Sequence, residues 1–245
     1  MKICIATLAI GKKYQLICAP GTRSKRRYAK KHGYNFVLET SSLDPSRPPA
    51  WSKILLVEKL LPHYDWVFWV DADTVIMNDK IKLESLIDER FACLMCIQNN
   101  SIINSGVMLF KNTPHAFEFL KEIYSRKNCI HHAFWENQAI IEILNEKQSP
   151  YKKYIQLLPQ KRMNSFHPEQ TANQIEEKKP HPYEEEDFLI HFPGKGIGGL
   201  FFLMRKYGWK KPAFSALIFL AKGLSLLLGL FHQKGKNAYR YFQKI

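Results

Sequence analysis

The chain has 245 residues, of which 46% are hydrophobic and 24% are charged, so its composition excludes a wholly disordered protein. This length is enough for one large α/β domain with a buried core and an appendage. The formal net charge of +14 suits nucleic acid, an anionic membrane or a phosphorylated ligand equally well, so the charge alone identifies no partner.

The positive charge is concentrated near both ends of the chain. Residues 188–245 contain ten Lys or Arg and no Asp or Glu, and a second basic cluster occupies residues 23–31. We interpret this second cluster either as a contact for nucleotide phosphates or as a solvated helix face turned to anionic lipid. The sequence contains no zinc finger, recognition helix or stacking-aromatic motif, so nucleic acid is not an expected partner.

Apolar periodicity and turn residues predict alternating strands and helices. The first half contains a strand at 3–8, a short extended piece at 14–19 and a Pro-Gly turn at 20–21. A helix at 22–32, a strand at 34–38 and a helix at 51–61 follow. After a central strand at 66–70 come strands at 91–97 and 105–110 and helices at 113–124 and 134–144. The last two strands are at 154–158 and 188–190. This alternation predicts an α/β sandwich with a mainly parallel sheet.

Two carboxylates follow the central strand directly. The run Trp66–Val70 is apolar throughout, which is typical of a strand buried on both faces, and Asp71 and Asp73 stand where it ends. Side chains two apart share a face and can hold one hard cation that binds a diphosphate. In open α/β sheets, ligands bind beyond the carboxyl ends of the strands. Asp71 and Asp73 therefore either form a metal site or cap the following turn.

The five cysteines are interpreted as reduced, buried thiols. Cys4, Cys18, Cys93, Cys96 and Cys129 are odd in number and lie in mostly apolar surroundings. Cys93 and Cys96 have C-x-x-C spacing, but no second pair completes a zinc site. We therefore expect them in the core of a strand.

The C-terminal segment is basic and apolar. Residues 213–231 are apolar apart from Ser215, Lys222 and Ser225, which fall on one narrow stripe of a helical wheel. This pattern favours a helix lying on an anionic membrane surface. A spanning helix would place Lys222 near mid-membrane at a cost of about 2.5–3.5 kcal/mol, and a helix packed on the domain or on a second subunit is a further alternative.

The N-terminus begins with a strand-like run directly after Lys2. We therefore expect no secretory signal. Together with the basic C-terminal segment, this predicts a cytoplasmic protein that is peripheral to the cytoplasmic face of a membrane.

Several motifs, in order along the chain, resemble those of glycosyltransferase family 34, which contains fungal α-galactosyltransferases and plant xyloglucan xylosyltransferases. They lie at residues 28–34, 51–53, 66–78, 104–107, 135–138, 159–165 and 187–194. The resemblance covers residues 1 to about 196. The chain differs from the family pattern at Glu186, where family members usually have a glycine, and at Lys195, where they usually have a cysteine.

The resemblance implies a GT-A fold, which is a Rossmann-like α/β/α sandwich with a mostly parallel central sheet. It assigns a GT-A glycosyltransferase catalytic domain to residues 1–199. Residues 200–245 then form a basic, amphipathic helical tail for membrane association.

The resemblance also implies a metal site made of Asp71, Asp73 and His191, for Mn²⁺ or alternatively Mg²⁺. Carboxylates and one imidazole suit such a borderline divalent ion. A lone His beside an apolar strand is otherwise usual in a core. The glycine-rich stretch after His191 is typical of backbone that approaches phosphate, with Gly194 and Lys195 as the expected phosphate contacts.

Further polar residues are expected around the donor sugar. Asn104, Ser105 and Gly106 would hold its hydroxyls, and Gly106 would allow a close approach. Gln160 and Asn164 would face donor or acceptor hydroxyls, or else serve as scaffold.

The catalytic candidates come from the start of a predicted helix. Asn137 and Gln138 would line the far face of the donor sugar, and Glu136 is a less favoured nucleophile. The alternative is an ordinary solvated helix start. Because no carboxylate stands out as a nucleophile, we favour attack on the face from which the diphosphate departs, with the leaving phosphate accepting the proton of the acceptor.

We therefore expect a retaining, metal-dependent glycosyltransferase that moves a galactose-like hexose or xylose from a UDP-sugar to a saccharide or glycolipid acceptor. A galactosyl- or glucosyltransferase similar to glycosyltransferase family 8 is the nearest alternative, although residues 51–53 and 159–165 argue against it. An alternative of another class is a catalytically inactive, basic module that binds a membrane or nucleic acid.

Overall fold

A six-stranded sheet lies at the centre of the structure, a computed structural model that describes residues 1–98, 102–168 and 180–208. The strands of the described residues are β1 (Ile3–Leu8), β2 (Asn35–Glu39), β3 (Trp66–Val70), β4 (Thr74–Ile76), β5 (Cys93–Ile97), β6 (Ile103–Lys111), β7 (Ile155–Pro159), β8 (Ser165–Phe166) and β9 (Leu189–His191). The helices are α1 (Lys12–His32), α2 (Ser52–Leu60), α3 (Pro114–Ser125), α4 (Trp135–Asn145) and α5 (Ile197–Gly208).

The central sheet has the order β2-β1-β3-β6-β5-β7. Strand β6 is antiparallel to both of its neighbours, and the remaining pairs are parallel. The prediction of a mainly parallel sheet is therefore confirmed. The central strand β3 has the predicted bounds, and all five of its residues are buried.

Alternate residues of β3 pack into two separate cores, one on each face of the sheet. Val67 and Trp69 belong to a core that includes apolar residues of α2, α3 and α4. Trp66 and Phe68 belong to a core that includes Tyr28 and Ala29 of α1. This alternation follows from the two-residue period of a strand, and it confirms the predicted α/β/α layers.

A second, smaller sheet has the order β4-β9-β8. Strands β4 and β9 are antiparallel, with Thr74 opposite His191 and Ile76 opposite Leu189. The sequence predicted a strand near β9 but neither β4 nor β8, which have three and two residues. Segments this short carry too few residues for a periodicity to be seen.

Helix α1 differs from the prediction, which was wrong in placing an extended piece and a Pro-Gly turn at residues 14–21. The helix is continuous from Lys12 to His32 and contains Pro20 and Gly21. A proline inside a helix costs about 3 kcal/mol, so tertiary contacts must offset the local preference. The contacts are close, since a Cβ atom on Gly21 would lie 2.3 Å from the Thr74 carbonyl oxygen, and one on Gly208 would lie 2.3 Å from Cβ of Pro20.

Helix α5 is the last described element. It packs on α1, and its side chains Leu200, Leu203 and Met204 are buried. The predicted boundary after residue 199 falls inside this helix, and the compact unit extends to Gly208. The predicted amphipathic helix at 213–231 lies outside the described residues, so it stays a prediction. Within the described ranges, no helix combines the length and apolarity needed to cross a membrane.

Glu186 adopts a backbone conformation that favours glycine. Its φ angle is +82°. A residue with a Cβ atom is strained in this region, and Glu186 is the position at which family members usually have glycine. The turn is tied to the fold because Asn78 donates a side-chain hydrogen bond of 2.9 Å to the Glu186 carbonyl oxygen.

All five cysteines are free and buried, as predicted. Cys93 and Cys96 lie in β5 rather than in a metal site.

Replacement of Gly21 by Ala tests the contact between α1 and the turn before β4. A Gly-to-Ala change inside a helix usually stabilises a protein by about 0.5–1 kcal/mol. Here the added Cβ would collide with backbone oxygen, so we expect Gly21→Ala to lower the free energy of unfolding by about 1–3 kcal/mol in chemical denaturation.

Gly199→Ala is the matched control, because Gly199 lies in α5 with no atom within 4 Å of an added Cβ. We expect this variant to be unchanged or slightly more stable. Equal effects of the two substitutions would contradict the packing described for Gly21.

Candidate active site

The pairing of β4 with β9 brings His191 to the end of β3. Thr74 lies opposite His191, and the Phe192 amide donates a 3.0 Å hydrogen bond to the Asp73 carbonyl oxygen. As a result, one ligand atom each from Asp71, Asp73 and His191 lie within 4.8 Å of one another. Residues that are about 120 positions apart in the chain thus share one site.

His191 is oriented like a metal ligand. Its Nδ1 lies 2.8 Å from the Asn164 side-chain oxygen, whereas its Nε2 is buried and has no hydrogen-bond partner among the described residues. Asp73 Oδ1 lies 3.4 Å from Nε2. A buried acceptor without a donor is costly, so a bound cation would satisfy this nitrogen.

A chain of amide groups fixes the tautomer of His191. The Gly106 backbone N–H donates to Asn104 Oδ1 at 3.0 Å, which identifies that atom as an oxygen. The Asn164 amide nitrogen donates to the same oxygen at 2.9 Å, so the other end of the Asn164 side chain is the oxygen that faces His191. His191 Nδ1 must therefore carry a proton when the ring is neutral, and the lone pair lies on Nε2.

Asp73 is held as a carboxylate. Burial alone would raise its pKa, but the positive charge that His191 carries when its ring is protonated and the charge of the lysine at position 25 outweigh burial and lower the pKa below its ordinary value. Asp73 is therefore ionised and able to bind a cation at neutral pH.

Gly106 has a further role besides the predicted approach to the sugar. A Cβ atom at this position would lie 2.3 Å from His191 Cε1 and 3.0 Å from Asp71 Oδ2. The absence of a side chain therefore leaves space for two of the three candidate ligands. The Gly106 carbonyl also accepts a 2.8 Å hydrogen bond from the Asp71 amide, which joins β6 to the end of β3.

Lys53 of α2 binds two carboxylates at once. Its ammonium lies 2.7 Å from Glu136 Oε1 and 3.1 Å from Asp71 Oδ1. Burial would lower the pKa of Lys53, but the two carboxylates raise it above its ordinary value, so the lysine stays charged. Asp71 Oδ1 also accepts a 2.8 Å hydrogen bond from the indole nitrogen of Trp69. One oxygen of Asp71 is thus fully engaged by the protein.

Lys25 of α1 binds backbone oxygens of the turn that contains Asp73. This fully buried lysine donates to the carbonyl oxygens of Thr74 at 2.8 Å and Ala72 at 3.3 Å. Burial lowers its pKa to about 8, although Cys18, Asp73 and Asp71 oppose the shift. The basic cluster at 23–31 was predicted to be solvated or to bind phosphate, and that interpretation is wrong for Lys25.

A cavity of about 850 Å³ opens in front of these side chains. This volume lies in the range typical of small-molecule sites. It is lined by most of the predicted site residues, namely Asp71, Asp73, Asn104, Ser105, Gly106, Glu136, Asn137, His191 and Gly194.

Two of the three catalytic candidates reach the cavity. Glu136 is buried, and its Oε1 accepts from the Ser105 hydroxyl at 3.0 Å, while its Oε2 has no hydrogen-bond partner among the described residues. Asn137 is committed to the backbone of β6, since it accepts from the Ser105 amide at 2.7 Å. Gln138 is not among the residues that line the cavity, and its amide donates to Glu142 at 3.1 Å.

Three of the residues expected to bind the donor are also absent from the cavity wall, namely Gln160, Asn164 and Lys195. Gln160 is buried and accepts a 2.7 Å hydrogen bond from the His181 amide. Asn164 contacts His191 and Asn104 instead, so it orients a candidate ligand from behind. The predicted ligand contacts of these residues stay predictions.

No role was predicted for Lys53 from the sequence, and the surroundings predicted for Lys25 were wrong. A signal was present for Lys25, because Gly21, Tyr28 and Ala29 occupy the same helical stripe and are all buried. Lys53 lies within an apolar helix start, between the buried residues Ser52 and Ile54. A lysine on a buried stripe indicates a paired charge rather than a solvated one.

Comparisons with known proteins identify the family of this chain. The model of the galactosyl transferase GMA12/MNN10 family, which is glycosyltransferase family 34, matches residues 12–96 and 90–198. An uncharacterized α-1,2-galactosyltransferase of Schizosaccharomyces pombe is 25% identical, over 78% of this chain and 69% of its own length. A probable α-1,6-mannosyltransferase of Saccharomyces cerevisiae is 24% identical, over 71% of this chain and 54% of its own length.

A solved structure shares the fold. It is a glycosyltransferase involved in the glycosylation of the major capsid of PBCV-1, with a TM-score of 0.64 and 16% identity, over 84% of this chain and 100% of that one. The fold is thus of the GT-A type, as the resemblance implied. The chain belongs to the galactosyl transferase GMA12/MNN10 family and is a glycosyltransferase.

Removal of the Asn164 side chain tests the orientation of His191. Without the acceptor for Nδ1, the imidazole loses both its orientation and its fixed tautomer. Loss of such a partner typically lowers metal affinity by about 10- to 100-fold, so we expect Asn164→Ala to weaken Mn²⁺ binding by that factor in a titration followed by electron paramagnetic resonance.

Asn128→Ala is the control, because Asn128 is exposed and its amide contacts Glu142 instead. It should bind Mn²⁺ like the unaltered protein. An Asn164→Ala variant that folds and binds Mn²⁺ with unchanged affinity would refute the orienting role.

Proposed function

We propose that this protein is a retaining, divalent-cation-dependent glycosyltransferase that moves a galactose-like hexose or xylose from a UDP-sugar to a saccharide or glycolipid acceptor. One observation carries the proposal: in a member of a glycosyltransferase family, two carboxylates and an imidazole converge at the wall of a cavity large enough for a nucleotide sugar.

The donor atoms fit a divalent cation. Asp71 and Asp73 offer hard oxygens, and His191 offers a nitrogen whose lone pair is otherwise unused. Such a mixed set suits Mn²⁺, with Mg²⁺ as the alternative. When bound, the cation would neutralise the negative charge that develops on the departing diphosphate.

The protein's own charges prepare the site for this cation. Lys53 occupies one oxygen of Asp71 and one of Glu136, which fixes both side chains and compensates part of their negative charge. Lys25 fixes the backbone on either side of Asp73. The ligands are therefore held in place before the ion and the donor bind, which limits the reorganisation needed during the reaction.

The donor sugar is proposed from the relatives. Their names include galactosyltransferases and a mannosyltransferase, and this chain spans between 54% and 69% of the length of the two relatives described above. Asn104, Ser105 and Gly106 line the cavity at one end of β6, where the hydroxyls of a bound sugar would lie. We therefore place the donor sugar against this end of β6.

Retention of configuration requires either attack from the face of departure or two successive displacements. We favour same-face attack, in which the leaving phosphate accepts the proton of the acceptor hydroxyl. Glu136 is the carboxylate that a double displacement would use, since one of its oxygens has no partner among the described residues and the residue lines the cavity. Its other oxygen is held by Lys53 and Ser105, which supports a role in positioning.

Attachment to an anionic membrane at the cytoplasmic face remains part of the proposal. Its support is the sequence pattern of residues 213–231, which lie beyond the described residues. It is independent of the site chemistry.

Cation-dependent release of UDP tests the proposed function. With UDP-galactose, UDP-glucose, UDP-xylose and a nucleotide-activated mannose as donors, we expect release with Mn²⁺ for one of the UDP-sugars and none in EDTA. Asp73→Asn should lower the rate by at least about 100-fold, because it removes a charged ligand of the cation.

Asp88→Asn serves as the control, since Asp88 pairs with Arg90 and is not part of the cavity wall. It should keep the native rate. Absence of release with every donor, or equal release by Asp73→Asn with and without EDTA, would refute the proposed function.

Glu136→Gln distinguishes the two routes to retention. For same-face attack we expect about a 10- to 100-fold loss of kcat, from misplacement of Lys53 and Asp71, with no product from added azide. Loss of a nucleophile would cost roughly 10³-fold or more, and azide would then give a glycosyl azide detectable by NMR.

Glu142→Gln, on the same helix but outside the cavity wall, is the control and should keep kcat near the native value. Formation of the glycosyl azide by Glu136→Gln alone would overturn same-face attack.

A further inference from the structure

Two exposed aromatic side chains stand on the wall of the cavity. Phe134 is 61% exposed and Trp135 is 43% exposed, and both contribute to the same wall as the candidate metal ligands. Ile102, also exposed, lies on this wall as well. Large apolar side chains exposed at a cavity commonly mark a surface that a ligand covers.

Hydrogen bonds within their own loop hold the backbone of both residues. The Phe134 amide donates to His132 Nδ1 at 3.1 Å, and the His132 and Phe134 rings pack with their centroids 5.6 Å apart. The Trp135 amide donates to the His132 carbonyl oxygen at 3.0 Å. On the other side, the Phe134 carbonyl accepts from the Asn137 amide at 2.9 Å, in the first turn of α4.

Trp135 also has a strained backbone. Its φ angle is +44°, in the left-handed region that residues with a Cβ atom rarely adopt. Such strain persists where the surrounding structure imposes it and is concentrated at functional sites. In this protein the strained backbone belongs to Trp135, whose ring is exposed. The residues before and after it in the chain are hydrogen-bonded.

The aromatic pair is next to the proposed donor site. Glu136 directly follows Trp135 and binds Lys53, which in turn binds Asp71. Asn137 binds the amide of Ser105 in the strand against which we place the donor sugar. A ligand resting on Phe134 and Trp135 would therefore lie beside the sugar to be transferred.

We propose that Phe134 and Trp135 bind a pyranose ring of the acceptor saccharide. This inference rests on the proposed function, which requires an acceptor next to the donor. Aromatic rings offer a flat apolar surface that matches the C–H face of a pyranose, and tryptophan is enriched among the residues that dominate binding energy at protein interfaces.

The acceptor ring is expected to be uncharged. Among the described residues of the cavity wall, Lys53 is the sole lysine or arginine, and it is buried and bound to two carboxylates. The proposed divalent cation serves the donor diphosphate, so a negatively charged acceptor sugar would meet those carboxylates with no further positive charge on the described wall to balance it. A neutral hexose or pentose unit fits the wall better.

Saccharide binding in the absence of donor tests the inference directly. The probes are mannobiose, galactobiose and cellobiose, and the measurement is saturation-transfer difference NMR followed by titration for the dissociation constant. We expect at least one disaccharide to bind the native protein, with saturation on its ring C–H protons. Trp135→Ala and Phe134→Ala should each weaken that binding by about 10- to 100-fold.

Two further variants separate stacking from general damage. Trp135→Phe keeps an aromatic ring and should retain most of the affinity. Phe202→Ala removes a phenylalanine that is similarly exposed, at 64%, but lies on α5 outside the cavity wall. This variant should bind the disaccharide with the affinity of the native protein.

In the transfer reaction, Trp135→Ala should raise the acceptor KM by the same factor while the KM for the UDP-sugar changes far less. The inference is overturned if no disaccharide binds the native protein, or if both alanine variants bind it natively. It is also overturned if the two alanine variants lose affinity for UDP but keep affinity for the saccharide, since the uracil base of UDP would then be what stacks on the two rings. Because these titrations need no turnover, failure of the proposed function would appear separately, as absent UDP release.

Discussion

The pairing of strands β4 and β9 is the constraint on which the site depends. Asp71 and Asp73 end a strand of the central sheet, whereas His191 comes from a distant part of the chain. A three-residue antiparallel ladder sets Thr74 opposite His191 and thereby fixes the distance between the imidazole and Asp73. Because ladder register changes in steps of one residue, a slip would turn His191 to the opposite face and remove it from the site.

Two buried lysines then hold the Asp-x-Asp turn from opposite faces of the sheet. Lys25 belongs to α1, on one face, and binds backbone carbonyls of the turn. Lys53 belongs to α2, on the other face, and binds the Asp71 side chain. Burying two ammonium groups is costly, and each lysine is compensated by its own set of oxygens. The position of the turn is therefore set by both layers of helices, which explains why Gly21 must let α1 approach so closely.

The central layers and the two carboxylates could be predicted from the sequence because their signals are local. Strand β3 is an unbroken apolar run that ends at Asp71, and most helix and strand bounds agree to within a few residues. His191 could be joined to the site only through the family resemblance, because β4, the partner of β9, has three residues and is too short to show a period. Helix α1 was misjudged because Pro20 and Gly21 normally end a helix, and only the tertiary contact with Thr74 and α5 explains their place inside it. The orienting role of Asn164 and the pairing of Lys53 depend on side-chain geometry that a sequence does not contain.

Burial of the cysteines has a practical consequence for spectroscopic work on this protein. Burial raises the pKa of the Cys4 and Cys129 thiols to about 11 and that of Cys18 and Cys96 to about 12, and it raises the pKa of Cys93 as well. At neutral pH these thiols are both shielded and protonated, and a maleimide reacts with the thiolate form of an accessible cysteine. A cysteine introduced on the surface would consequently be labelled in preference to the native five, so a fluorophore or spin label can be attached without first rebuilding the core.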